Sequence, residues 1–306
     1  MTTARSAAPR HAFGDALAIA RYHIVLVAMA ACVVFGWLMT DRYLPWIALV
    51  CGLDWFLINL LNRVTDVDED LENGIRGTER VAARRRLLTV GGFTLMGGSI
   101  VLTHLVWPEL TALRVIVQAI GLAYNYDVVP TPRGLSRLKE IYFFKNFGSS
   151  CLFVLTGFLY PLAAAPQVMR TEAIVALVLF FVPFELTYEI LYDLRDLEGD
   201  RQEGIPTYPV VHGPKVALQI IDALLLGSAL VLGLGLGAGW LGLREGLMLA
   251  APLLQLVFYR PRVRRGITSA DCIHLTHLGT GLLLFYLAGT AAWSALGMPN
   301  NIYLVQ

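Results

Sequence analysis

The chain has 306 residues, of which 56% are hydrophobic and 15% charged, with a mean hydropathy of +0.61 and a net charge of +1. That balance excludes an ordinary soluble domain and reads as an all-α, polytopic membrane protein. The near-neutral charge singles out no soluble partner; the lipid bilayer is the expected surrounding, and no nucleic-acid partner is expected.

Residues 1–15 are polar and are expected to be a flexible N-terminus, with room for a short interfacial helix near Asp15–Arg21. A bilayer span needs about 20 mostly apolar residues. Nine segments meet the pattern, at 22–40, 44–61, 87–106, 109–126, 142–164, 172–192, 216–241, 245–260 and 273–297. The first is too long for a cleavable signal core and lacks a small-residue cleavage site, so it reads as a true span. The seventh is glycine-rich and the eighth, with Pro252, is the shortest. With the N-terminus in the cytoplasm, 20 of the 24 basic residues fall on the cytoplasmic side. The long loops 62–86, 127–141, 193–215 and 260–272 fall on that side too, so chemistry is expected at the cytoplasmic face. The whole of 1–306 reads as a single membrane domain. The four cysteines lie in or beside apolar spans and read as buried small hydrophobes.

Two acid clusters stand out where apolar segments end: Asn62-x3-Asp66-x3-Asp70 and Asp193-x2-Asp196-x3-Asp200. An Asp at mid-bilayer costs ~2.5–3.5 kcal/mol on insertion scales, so acids near membrane depth usually have a function. Residues four apart on a helix lie ~40° apart around the axis and ~6 Å along it. Asn62, Asp66 and Asp70 therefore form one stripe; Asp196 and Asp200 share a face, with Asp193 close to Asp200 in projection. Mg²⁺ takes one or two carboxylates plus substrate phosphate oxygens, so two facing stripes suit a metal-bound diphosphate. The nearby Asp68, Glu69, Glu72, Glu198 and Glu203 lie off the stripes and read as solvated. Phosphate also needs cations. Arg133, Arg137, Lys139 and Lys145 supply them beside Tyr124 and Asn125, with Arg137 and Lys139 the best placed and Arg76 and Arg80 weaker candidates.

These motifs resemble those of the UbiA superfamily of intramembrane prenyltransferases. The run Asn62-Arg-Val-Thr-Asp66-Val-Asp-Glu-Asp70 is similar to its first signature. Asp193-Leu-Arg-Asp196-Leu-Glu-Gly199-Asp200, followed by Gly204-Ile-Pro-Thr207-Tyr-Pro209-Val, is similar to the second. Tyr124-Asn125 with Arg137-Leu138-Lys139 is similar to a third, loop-borne element. The resemblance implies helices ringed around a central cavity, capped at the cytoplasmic face and open sideways to lipid. It implies Mg²⁺-dependent transfer of a prenyl group from its diphosphate to an acceptor; the expected location is the cell inner membrane. By motif, Asn62, Asp66, Asp70, Asp196 and Asp200 would be metal–diphosphate residues with Asp193 accessory, and Arg137 and Lys139 would contact phosphate. The chain departs from the pattern at Gly77-Thr78-Glu79-Arg80-Val81, where many members carry Arg-Pro and a hydrophobic stretch. It departs again at Ala20-Arg21-Tyr22-His23, which lacks a proline common in aromatic prenyltransferases.

Inside the spans, Glu185, Glu189 and Asp193 recur at four-residue spacing and share a stripe. Glu189 or Asp54 is a candidate base for an acceptor hydroxyl or a carbocation proton; the alternative is a hydrogen-bonded structural carboxyl, which is favoured for Asp54 and Asp222. Trp55, Phe56, Tyr126, Tyr142, Phe143, Phe144, Phe181, Phe184, Tyr188 and Tyr192 are candidates for a prenyl tunnel or for interfacial anchoring. His274 and His277 read as packing residues. Two enzyme readings fit: a prenyltransferase with an aromatic, quinone-precursor or other lipidic acceptor, and a membrane terpene cyclase that needs none. A non-enzymatic transporter or scaffold fits poorly with intact aspartates.

Overall fold

A computed structural model describes residues 12–132 and 134–298. Helix α1 (Ala12–Ile19) precedes α2 (Tyr22–Thr40) and α3 (Pro45–Thr65), and short α4 (Val67–Glu72) and α5 (Thr78–Ala83) lead into α6 (Arg85–Val106) and α7 (Pro108–Asn125). An antiparallel hairpin, β1 (Val129–Thr131) and β2 (Gly134–Ser136), pairs Val129 with Ser136. After a 3-10 turn at Leu138–Glu140, α8 (Phe144–Val154) runs through a π-helical turn (Leu155–Leu159) into α9 (Tyr160–Ala164). Then follow α10 (Thr171–Glu203), α11 (Tyr208–His212), α12 (Pro214–Gly237), a 3-10 turn (Glu245–Leu249), α13 (Ala250–Arg264) and α14 (Ser269–Ala295). Prolines open α3, α7 and α12 in the first turn, where the missing N–H costs nothing.

The architecture is the expected polytopic all-α bundle, but length and composition give seven spans among the described residues rather than nine. The expected fourth and eighth spans are helical yet fall outside that set. Helix α7 carries Glu109, Arg114 and Gln118, and α13 is only 15 residues long and ends in Arg260, Arg262 and Arg264. The second acidic motif also differs from expectation: 193–203 continues α10 as helix, and the loop begins at Gly204, whose φ of 70° ends the helix in a left-handed cap.

Residues 1–11 of the expected flexible tail, and Arg133, lie outside the described residues. Ala12–Asp15, assigned to that tail, are instead helical. Buried Asp15 accepts from Arg76 Nε at 2.9 Å and pairs with Arg80 Nε at 2.9 Å, which ties α1 to the segment after α4.

Helix α10 packs against α12, α8 and α14, and α2 packs against α3 and α14. Aromatic rings fill the seam between them: Phe35 stacks on Phe158 at 4.3 Å and meets Phe181 edge-on at 5.3 Å, and Trp55 lies 4.3 Å from Phe153. Asp54, a candidate base on sequence grounds, is fully buried away from the cavity. It accepts from Arg114 Nε at 2.9 Å, Gln118 Nε2 at 2.7 Å and the Tyr160 hydroxyl at 2.8 Å. Arg114 Nη2 donates to it as well, and its rotation around α3 relative to Asn62 turns it toward α7 and α9, where these four donated hydrogen bonds neutralise it; the structural role is the one observed.

Candidate active site

The first motif straddles a bend. Asp66 has φ −97° and ψ 30°, ending α3 and starting α4, while backbone bonds from Asp66 N to Asn62 O and from Asp70 N to Asp66 O, both 2.9 Å, carry the helical path across. Asn62 Nδ2 donates to Asp66 Oδ2. Buried Arg63 donates to Asp70 and, at 2.8 Å, to the Arg76 carbonyl. Burial pushes the Asp70 carboxyl above the usual carboxylate range, against the pull of Arg21 and Arg63.

The second motif lies along one uninterrupted helix. Asp193 and Asp200, seven residues apart, present the same side of α10 to Lys145, whose Nζ lies 3.0 Å from each. Asn146 Nδ2 donates to Asp193 at 2.7 Å. Asp196 projects from the other flank and is held by Arg195, with Nε at 2.7 Å, while that guanidinium lies 4.8 Å above the Tyr192 ring. Across the gap, Lys139 Nζ sits 2.8 Å from Asp66 and 3.3 Å from Glu69, and Arg137 Nη1 reaches Asp66 at 3.3 Å. Every acid of the two motifs thus has a cationic partner, as buried carboxylates require.

Between the two motifs opens a cavity of about 630 Å³. Asn62, Asp66, Asp70, Tyr124, Lys139, Lys145, Glu189, Asp193 and Asp196 all line it. Two other candidates do not. Asp200 is fully buried behind Lys145, and Arg137 faces a shallow adjoining cleft with Thr65, Asp68, Glu69 and Glu203. Arg76 lines the cavity, but it and Arg80 are both engaged by Asp15. The stripe Glu185–Glu189–Asp193 does face inward: Ser149 Oγ donates to Glu189 at 2.9 Å and to Glu185 at 3.3 Å, and Ser150 donates to Glu185. Of the aromatic candidates, Trp55, Phe181, Phe184, Tyr188 and Tyr192 line the cavity, whereas Phe56, Tyr126, Tyr142, Phe143 and Phe144 do not. The His277 ring packs 5.4 Å from that of Tyr22, and its Nε2 also shares a hydrogen bond with the Tyr22 hydroxyl at 2.9 Å; Asp222 pairs with Tyr259 and Arg260.

Several lining residues escaped sequence reasoning. Glu69 reads as solvated from sequence, although its three-residue spacing from Asp66 puts it within reach of the same cation, and Lys139 does bridge the two. Arg195 sits inside the second motif and was readable as a phosphate-side cation. Arg21, in a left-handed conformation with φ 43°, and His23 enter from the start of α2, and no spacing links them to either motif.

Among the described residues, no three acidic, His or Cys side chains converge into a preformed metal centre. The donor set still fits Mg²⁺, which binds through one or two carboxylates and completes its shell with water and phosphate oxygens rather than with an all-protein cage. Asp66, Asp193 and Asp196 offer hard oxygen donors on the cavity wall, and Lys139 and Lys145 offer charge for an anion between them.

The model of the UbiA prenyltransferase family matches residues 24–272. The chain is 26% identical over 124 residues to a digeranylgeranylglyceryl phosphate synthase of Methanosphaera stadtmanae, covering 40% of each chain. It is 35% identical over 81 residues to one of Haloquadratum walsbyi, covering 26% of this chain and 28% of the other. The matched stretches therefore span less than half the length of these curated relatives. The fold is shared with a UbiA homologue from Archaeoglobus fulgidus solved bound to GPP and Mg²⁺, at TM-score 0.67 and 16% identity over 92% of this chain and 99% of that one. It is also shared with the apo UbiA homologue from Aeropyrum pernix, at TM-score 0.54 and 14% identity over 89% and 98%. With 24–272 matched end to end and both acidic motifs facing one cavity, the chain belongs to the UbiA prenyltransferase family.

Proposed function

We propose that this protein is a Mg²⁺-dependent intramembrane prenyltransferase that moves a prenyl group from its diphosphate to a lipidic acceptor. The observation that carries the reading is the meeting of two acid-bearing helix ends across one cavity, with Lys139 on one wall and Lys145 on the other. The Mg²⁺- and GPP-bound homologue of the same fold supports it. Asn62, Asp66, Asp70, Asp193 and Asp196 hold the metal–diphosphate. Asp200 acts from behind by fixing Lys145, and Arg137 fixes Asp66 from the adjoining cleft. Bound Mg²⁺ neutralises the diphosphate and stabilises it as a leaving group.

The chain's own residues then do the following. Lys139 and Lys145 give up part of their pairing with Asp66 and Asp193 to contact phosphate oxygens. The C1–O bond breaks with its electron pair going to the diphosphate, and the acceptor forms a new bond to C1. Glu189, positioned by Ser149, takes the acceptor's proton. The aromatic walls keep water from the allylic cation and face it with π-electrons. Acceptors in keeping with the cavity are aromatic, quinone-precursor or other lipidic molecules; the partial matches to digeranylgeranylglyceryl phosphate synthases add a prenylated glyceryl phosphate to that set. The basic-residue asymmetry supports an N-terminus in the cytoplasm and an active site at the cytoplasmic face, and with that orientation we assign the protein to the cell inner membrane.

The test is incubation of the liposome-reconstituted protein with Mg²⁺ and C10 to C20 prenyl diphosphates, with and without acceptors, and product identification by mass spectrometry. Prenylated acceptor is the expected product. A cyclised hydrocarbon or alcohol formed without acceptor would favour the terpene-cyclase reading instead, and no diphosphate release from any donor would contradict both.

A further inference from the structure

Nine acidic side chains are buried among the described residues, and eight of them pair with a lysine or arginine. The exception is Glu185. It is 5% exposed and lies eight residues before Asp193 on α10, about 12 Å farther along the axis from the acid layer. Its polar partners among the described residues are two hydroxyls of α8 and Glu189, with no cation among them. An unpaired carboxylate at membrane depth is costly, and such a group takes up a proton instead.

The hydrogens available in the cluster lead to the same state. Ser149 Oγ lies 2.9 Å from Glu189 Oε1 and 3.3 Å from Glu185 Oε1. A hydroxyl has one hydrogen to donate and two lone pairs to accept with. Ser149 therefore bonds to both carboxyls only if one of them donates to it, and an ionised carboxylate cannot donate. Ser150 reaches the other Glu185 oxygen, Oε2. One proton on Glu185 Oε1 then satisfies every contact: Glu185 donates to Ser149, Ser149 donates to Glu189, and Ser150 donates to Glu185. The proton belongs on Glu185 rather than on Glu189 because their surroundings differ. Lys145 faces Glu189 and favours its charge, whereas no cation of the described residues faces Glu185.

We propose that Glu185 is a positioning residue that carries a proton and, through Ser149, holds Glu189 ionised as the proton acceptor of the cavity. This rests on the prenyl-transfer reading above and adds the group that sets up its base. Glu185 keeps its own proton while the acceptor's proton passes to Glu189. The other titratable groups facing Glu189 are Lys145 on α8, Asp193 and Tyr192 on α10 and Tyr124 on α7, and Tyr188 faces Glu185.

The experiment follows product formation against pH by the full chain in liposomes with Mg²⁺, labelled geranylgeranyl diphosphate and a prenylated glyceryl phosphate. Infrared difference spectra of wild type against Glu185→Gln are recorded at neutral pH. Wild type is expected to show the carbonyl band of a protonated carboxylic acid, and the variant to lack it. A glutamine amide donates to Ser149 and accepts from Ser150 as the neutral acid does. Glu185→Gln is therefore expected to keep turnover within about three-fold of wild type, with an unshifted pH profile. Glu185→Leu fills the same space but donates nothing. It is expected to lose about ten-fold in kcat with a donor KM close to wild type. Its acid limb should move to higher pH, because Glu189 loses support for its charge. Ser149→Ala cuts the chain at its middle and should lose at least as much turnover. A missing acid band, or a loss in Glu185→Gln as deep as that in Glu185→Leu, would overturn the proposal and leave the transfer reading standing. So would an acid limb displaced to lower pH in Glu185→Gln, because removal of a neighbouring negative charge eases the ionisation of Glu189. No product from wild type, with the acid band present, would overturn the transfer reading and the role of Glu185 with it.

Discussion

Lys145 Nζ lies 3.0 Å from both carboxylate oxygens of Asp200, and this pairing holds Asp200 behind the cavity wall while Asp193 and Asp196 face the cavity itself. The same ammonium lies 3.0 Å from Asp193, so one cation sets the position of two motif acids.

Lys145→Met should therefore do more than remove a phosphate contact. It strands Asp193 and fully buried Asp200 without a counter-charge, and breaking a buried pair from one side costs about 3–5 kcal/mol. A lowered unfolding temperature in detergent, together with loss of prenyl-diphosphate binding, is the expected result. Lys145→Arg should recover most of the stability, because a cation is restored. Wild-type stability in Lys145→Met would show that the pairing is not maintained in the folded protein.

Glu189→Gln should leave prenyl-diphosphate binding near wild type and lower turnover by about 10²–10⁴, the range of a lost general base. The partition follows from its place one turn away from Asp193, bonded to Ser149 rather than to Lys139 or Lys145. Binding measured by isothermal titration and turnover measured by product formation separate the two effects. Unchanged turnover would remove the proposed proton acceptor.

Asp54 and Arg114 should behave in the opposite way. Replacing Arg114 with Met leaves a fully buried carboxylate with only Gln118 and Tyr160 as donors, and should destabilise the fold by about 3–5 kcal/mol. The activity of the molecules that remain folded should be little changed, since neither residue lines the cavity. Thermal unfolding paired with specific activity per folded protein checks this, and a large loss of specific activity at wild-type stability would contradict it.

What could be read from the sequence follows the periodicity of its helices. Glu185, Glu189 and Asp193 were legible as one inward stripe because α10 is regular through them. Asn62 and Asp66 were legible for the same reason. The bend at Asp66 was not, because it depends on how buried Arg63 pairs with Asp70 and with the Arg76 carbonyl. Asp200 shares a projected face with both Asp193 and Asp196, and only the approach of Lys145 from α8 decides that it pairs inside the wall. The fourth and eighth helices were found, but their charges and length set them apart from the seven apolar spans. The entry of Arg21 and His23 into the cavity, like the aromatic seam, depends on long-range packing of α2 against α3 and α14, which leaves no local pattern.

The most direct test of the central claim is Mg²⁺-dependent release of diphosphate from labelled geranylgeranyl diphosphate by the reconstituted protein, measured for wild type, Asp66→Ala and Asp196→Ala. The two acids stand on opposite walls, one held by Lys139 and the other by Arg195. Wild type is expected to release diphosphate in a manner lost on chelation and restored by Mg²⁺, and each variant to lose at least about 10²-fold while remaining folded. Release that persists without Mg²⁺, or that survives the loss of either aspartate, would contradict it.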